Sequence, residues 1–291
     1  MIDYPSLSDE ADLRSLWKQV FGDSDEFIDL FFRNRYSPDS ALVYRQAGRI
    51  TSMIFFPGYD FKYGENYGRL GYICGAATLP DFRGRGIMGE LLMGAFDEMR
   101  NRGDDFSALI PASDSLYGYY ERFGYHDFFY RKRLIVKRAE SVGGSLFRLL
   151  PADDFERIYE IYSEAVTQLP TVVIQSHDTY RSVVDEFLLS GGNVYLSDDR
   201  QLYCFTRMVG DSLHVREMFC VSDSTHEYQG LTRSLLNQFP SIESIEIEGP
   251  AGHIMSGSYV FRTGMLKILT EEADSLILND RSGYMKFMLE D

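Results

Sequence analysis

Apolar positions in residues 10–35 recur at helical spacing: Leu13, Leu16, Trp17, Val20 and Phe21, then Phe27, Leu30 and Phe31. The pattern then changes to strand over 41–45 and 50–59, joined by a hairpin turn at Gln46-Ala47-Gly48. A turn at Tyr63-Gly64-Glu65-Asn66 leads into a strand that runs to about Leu79, where Pro80 ends it. From Gly86 to Met99 the residues Ile87, Leu91, Leu92, Ala95, Phe96 and Met99 mark an amphipathic helix, with Gly103 just past its end. A strand over 106–110, a short helix over 115–122 and a strand over 125–136 complete this half. The order predicts an α/β fold, a mixed sheet with helices on its faces.

Residues 137–145 are polar, contain a glycine pair and read as a linker. The pattern then restarts. Phe155, Ile158, Tyr159, Ile161 and Tyr162 predict a helix, and 183–189 another. Strands over 193–197, 201–208 and 213–221, a helix over 231–239 and a strand over 244–248 follow. The halves superpose in element order at a shift of roughly 140–144 residues, as a duplicated chain would. The expected domains are 1–138 and 146–291.

Composition sets limits on this picture. A 44% hydrophobic and 14% aromatic content supplies cores and argues against disorder. There is no run of 18 or more apolar residues, and Met1-Ile2-Asp3-Tyr4-Pro5 carries no secretory pattern. Three scattered cysteines, Cys74, Cys204 and Cys220, fit a reduced, cytoplasmic protein, and five histidines without ligand spacing give no zinc site. The net charge of −15 disfavours nucleic acid and anionic membranes as partners and suits a cationic substrate.

The segment from Gly75 to Gly89, Gly-Ala-Ala-Thr-Leu-Pro-Asp-Phe-Arg-Gly-Arg-Gly-Ile-Met-Gly, carries the chemistry. A strand delivers the chain to a glycine-rich turn that opens a helix. The first N–H groups of a helix are unpaired and its dipole is positive there, so a pyrophosphate fits. Glycines let backbone approach the phosphate, and Arg83 and Arg85 add countercharge.

This turn resembles that of the GNAT superfamily of N-acetyltransferases, whose signature is Arg/Gln-x-x-Gly-x-Gly/Ala. Arg83-x-x-Gly86 matches, and Met88 stands where most of the superfamily has Gly or Ala. In that departure the chain is similar to the tandem-GNAT branch that includes the mycobacterial Eis acetyltransferases, without their third domain. The resemblance covers 1–136 well and the second half weakly, so the second domain is expected to be a degenerate copy. It implies acetyl-CoA as acyl donor. Ala76, Ala77 and Thr78 would offer backbone to the pantetheine arm, and Gly84, Arg85, Gly86, Ile87, Met88 and Gly89 would hold the pyrophosphate. Ser115 and Leu116 match positions whose backbone lines the cofactor.

The segment Tyr117-Gly118-Tyr119-Tyr120-Glu121-Arg122-Phe123-Gly124-Tyr125 is similar to the one that carries the family's catalytic acid, and Tyr120 falls on that position. A phenol of pKa about 10 can protonate a thiolate of pKa about 8.5 when held in place. The acceptor would be a small-molecule or peptide primary amine that attacks the thioester directly, polarised by an N–H near Thr78. Its proton requires a base, for which Glu65, Asp81, Asp114 and the carboxylate of Asp291 are open. The acceptor pocket is expected around Phe27 and Phe31.

Laying Gly230 over Gly86 puts Glu227 on Arg83, and a similar overlay puts Val260 on Tyr120, so the copy is expected to lack chemistry. Two other readings remain open: a non-catalytic acyl-CoA-binding regulatory module, and an aminoacyl transferase on the same fold. The acceptor (aminoglycoside, polyamine, peptide N-terminus or protein lysine) and the oligomeric state are left open by the sequence.

Overall fold

The computed structural model describes residues 1–138, 148–152, 154–221, 224–253, 256–271 and 283–287, with backbone alone for 224–227. Most of the expected linker, and Asp291, lie outside the described residues. A short strand β1 (Ile2–Asp3) precedes helices α1 (Glu10–Phe21) and α2 (Asp25–Asn34). Ser24 caps α2 by accepting the Phe27 N–H, which satisfies one of the donors a helix start leaves unpaired. Leu13, Leu16, Trp17, Ile28, Phe31 and Phe32 bury their side chains with Met53 and Phe55 beneath them.

Strands β2 (Ala41–Gln46) and β3 (Arg49–Phe55) form the expected hairpin. The single strand expected over 50–59 is broken after Phe55, because Pro57 has no N–H for a ladder. The chain then turns into β4 (Gly58–Tyr63), which pairs with β5 (Asn66–Thr78). Helix α3 (Ile87–Arg102) buries Leu91, Leu92, Ala95, Phe96 and Met99, and Gly103 ends it. Strand β6 (Phe106–Leu109), helix α4 (Asp114–Glu121) and strand β7 (His126–Lys137) follow.

The second half contains β8 (Leu149–Pro151), α5 (Phe155–Thr167), β9 (Thr171–Ile174), α6 (His177–Leu189), β10 (Asn193–Ser197), β11 (Leu202–Val209), β12 (Ser212–Cys220), α7 (Ser224–Gln238), β13 (Ser244–Pro250) and β14 (Tyr259–Ile268). All strands join one 14-stranded sheet, ordered β1-β2-β3-β5-β6-β14-β7-β13-β12-β11-β10-β8, with β4 and β9 paired off that path. Read inward from each edge, β1-β2-β3-β5-β6 mirrors β8-β10-β11-β12-β13. In each series the innermost pair is parallel and is bridged by a helix, α3 or α7. The fold is a mixed α/β tandem of one repeated unit.

The halves exchange strands where they meet. Strand β14 pairs with β6 of the first half, β7 pairs with β13 of the second, and β7 and β14 pair with each other. Two residue correspondences drawn from the sequence are therefore corrected. Gly230 lies inside α7, whereas Gly86 precedes α3, so Glu227 is not the counterpart of Arg83. The side chain of Glu227 lies outside the described residues. Val260 sits on β14 opposite Lys132, whereas Tyr120 is on a helix. Shared Tyr, Arg and Gly residues make these two kinds of element look alike in sequence. Ahead of Ser224 the sequence Val221-Ser222-Asp223 carries neither glycine nor arginine.

Candidate functional site

The site begins with a fault in the sheet. Gly75 adopts a left-handed conformation (φ +55°), and a Cβ there would stand 2.4 Å from the Phe55 ring and 2.8 Å from Trp17. Only glycine fits. Around it the β3–β5 register slips between Met53↔Ala77 and Phe55↔Cys74, a bulge that bends the strand. The parallel pairing of β5 with β6 ends at Ile73↔Leu109, so beyond it β5 has no ladder partner on that side among the described residues. The Leu79 N–H donates to Thr51 on β3. By the alternation of a strand, the Thr78 and Ala76 N–H groups face the open side.

Two cavities meet at this opening. The first, of about 530 Å³, is lined by Ala76, Thr78, Arg83, Gly84, Arg85, Gly86, Ile87, Met88, Leu116, Tyr119 and Tyr120. Gly84 and Gly86 lie at φ +74° and +80°, with nothing within 4 Å of where a Cβ would stand. No side chain caps the start of α3, so its first N–H groups face the cavity with the positive end of the dipole. Arg83 Nε donates to the Thr78 carbonyl at 3.0 Å, and an Arg85 guanidinium nitrogen donates to the Asp81 carbonyl at 2.7 Å. Both arginines brace the turn while remaining exposed beside the helix start. This arrangement can bind a pyrophosphate.

Three expected residues sit apart from that lining. Ala77 is buried beneath α1, Gly89 packs so closely on Phe123 that a Cβ would stand 3.2 Å from its ring, and Ser115 is exposed, bonded to Ser113 at 2.9 Å. Met88 lines the cavity and rests against the hydrophobic cluster under α3.

The second cavity, of about 480 Å³, is walled by Trp17, Phe21, Asp23 and Phe27 from the first helices, by 72–76 of β5, and by Ser190 and Arg207 from the second half. Phe27 lines it as expected, while Phe31 is fully buried against Trp17, ring centres 4.4 Å apart. Sequence reading missed Asp23. Its Oδ2 accepts the Trp17 indole N–H at 2.7 Å, which holds the carboxylate in this cavity. Of the carboxylates considered as bases, Glu65 is at the tip of the β4–β5 hairpin, and Asp114 pairs with Arg262 at 3.1 Å. Neither they nor Asp81 line either cavity.

Tyr120, Ala76 and Leu116 line both cavities. The Tyr120 ring is half-buried, edge-on to Tyr119 and Tyr125 with centres 5.2 and 5.9 Å away. Among the described residues its hydroxyl has no hydrogen-bond partner within the protein. Burial, with a smaller contribution from Tyr119, pushes its pKa up to about 12. The phenol is therefore protonated throughout the neutral range.

The fold is that of tandem GNAT-like domains. Residues 2–127 match the family model described as an acetyltransferase (GNAT) domain. Over nearly its whole length the chain shares the tandem fold of Eis1 from Mycobacterium abscessus (TM-score 0.71, 15% identity, 92% of this chain and 74% of that one). It is similar also to GCN5-related N-acetyltransferases from Anabaena variabilis (0.75, 14%, 93% and 73%) and Kribbella flavida (0.67, 18%, 92% and 70%). No curated protein matches the sequence. Among the described residues no helix is long and apolar enough to cross a membrane, and no cluster of His, Cys, Asp or Glu could hold a metal ion.

Proposed function

We propose that the protein transfers an acetyl group from acetyl-CoA to a primary amine by direct attack, with Tyr120 as general acid. The observation that carries this reading is the place of Tyr120, on the wall shared by the two cavities. The open cradle at Gly84 and Gly86, the uncapped start of α3 and the unpaired edge of β5 support the first cavity as the donor site. Bound acyl-CoA supplies an activated thioester. The Ala76 and Thr78 N–H groups face that site, where they can orient the donor and polarise its carbonyl.

The second cavity takes the acceptor. Asp23 offers a carboxylate beside the Trp17, Phe21 and Phe27 rings, a setting suited to an ammonium. An alkyl amine of pKa about 10.4 must lose a proton before attack, at a cost of roughly 4–5 kcal/mol at pH 7, and placement beside Tyr120 supplies part of the compensation. Cys74 lines the same cavity, but burial pushes its thiol up to about 12, so it does not act as a thiolate nucleophile.

Calorimetric titration with acetyl-CoA tests the reading. One site per chain is expected, and no binding would sink it. Two sites would mean that the second half has kept a working cradle. Thiol release with a panel of amines, compared between wild type and Tyr120→Phe, tests the acid: equal rates would remove Tyr120 from the chemistry.

A further inference from the structure

Arg262 stands on β14, a strand the second half contributes to the sheet of the first. Its guanidinium centre lies 3.7 Å from the centre of the Tyr117 ring. Its two terminal nitrogens donate to Asp114 Oδ1 and Asp127 Oδ2, each at 3.1 Å. One side chain thus grips the first residue of α4, a buried tyrosine one turn on, and the strand that follows the helix. We propose that Arg262 is a positioning residue that fixes α4, and through it Tyr120, at the junction of the two cavities. The inference rests on the proposed role of Tyr120.

Helix α4 needs such a support. It has eight residues, too few to be stable alone, and no side chain caps its start. Tyr117 and Tyr120 are three residues apart and so lie on neighbouring positions of one helix face. A clamp on Tyr117 therefore limits rotation of the helix that aims Tyr120. The arrangement also requires arginine. Its planar fork can stack on a ring and bond two carboxylates in one plane, whereas lysine is a point charge.

The Asp114 pair is too exposed to contribute much stability, and the Asp127 side chain is 30% exposed. Arg262 and Asp114 have side-chain exposures of 37% and 92%, and exposed ion pairs contribute little to folding. Loss of the clamp should consequently separate local order from global stability.

The experiment compares Arg262→Ala, Arg262→Lys and Tyr120→Phe in the full chain. Amide hydrogen exchange over 113–124 is followed together with Tm, kcat and the KM for acetyl-CoA. With Arg262→Ala, exchange in α4 should rise about tenfold while the rest of the protein and Tm stay close to wild type. The same variant should lower kcat by roughly tenfold or more, the scale at which small misplacements act, with little change in KM. Arg262→Lys should recover part of both. Unchanged exchange in α4, or loosening spread over the whole protein with a large fall in Tm, overturns the proposal. So does a normal kcat for Arg262→Ala when Tyr120→Phe is impaired. If Tyr120→Phe is itself fully active, the acid assignment has failed, and the clamp is judged on exchange in α4 alone.

Discussion

Arg35 of α2 and Glu186 of α6 form a bidentate ion pair, Nε to Oε1 and a terminal nitrogen to Oε2, both at 2.7 Å. Both side chains are buried, and Arg35 also donates to the Tyr59 hydroxyl at 3.3 Å. The two helices hold like places in the repeated units, so the pair locks the halves together behind the second cavity.

Removing one partner leaves a buried charge uncompensated. Arg35→Met should cost about 3–5 kcal/mol, read from the midpoint of urea unfolding. A double variant, Arg35→Met with Glu186→Leu, should regain much of that loss, because no bare charge remains. A double variant less stable than the single would show that the pair itself is strongly favourable.

With Tyr120 as the proposed acid, its elevated pKa sets the expected pH profile. The acid must be protonated, and a value near 12 keeps it so well past pH 10. The amine becomes more reactive as it deprotonates. Rates at low amine concentration should therefore rise about tenfold per pH unit between pH 7 and 9, without an alkaline fall before pH 10. Tyr120→Phe should lower kcat by about 10²–10⁴-fold. A fall centred near pH 9 in wild type would contradict the burial argument.

Gly86→Ala tests the cradle. The backbone at Gly86 is left-handed, which costs a residue with a Cβ about 1–2 kcal/mol, and the added methyl would fill the open space beside α3. Acetyl-CoA affinity in the calorimeter should drop by about tenfold or more, beyond the small loss of Tm. Equal affinity would place the pyrophosphate elsewhere.

Glu248 contributes to acid stability. Burial pushes its carboxyl up, but Arg131, Lys286, Arg216 and Arg133 outweigh burial and bring it to about 2. A depressed carboxyl contributes fully above its unfolded pKa and loses that contribution as pH falls toward the folded one. The protein should lose about 3 kcal/mol between pH 4.5 and pH 2 from this group. Glu248→Gln should be destabilised at pH 7 and show a shallower decline in that window.

A chain ended after residue 138 lacks β14, the strand between β6 and β7. It should give neither a cooperative thermal transition nor acetyl-CoA binding, and adding a peptide of 256–271 should not fully restore either. Independent folding of 1–138 would show that β14 is dispensable.

The parts of this architecture set by local rules were legible in the sequence. The spacing from Ile87 to Met99, closed by Gly103, marked α3, and Gly84 and Gly86 marked the left-handed turn that precedes it. What escaped depends on distant partners. Tyr259–Ile268 has no period-two pattern of its own and does not read as a strand in the sequence; its insertion between β6 and β7 is decided by residues more than a hundred positions away. Asp23 belongs to no motif. It matters because the Trp17 indole holds it in a cavity whose far wall comes from Ser190 and Arg207. The four residues of β9 are too few to carry a period, and only pairing with β4 makes them a strand.

The wall built from Ser190 and Arg207 borders the second cavity and no part of the first. Under the proposed assignment, each substrate has its own mouth. Inheritance can thus rework one without disturbing the other: substitutions on the distal wall alter which amine is admitted while the grip on the nucleotide stays constant. With the chemistry placed in the first half, as proposed, the second half becomes the part of the chain free to diversify, and the reaction is preserved while its clientele changes.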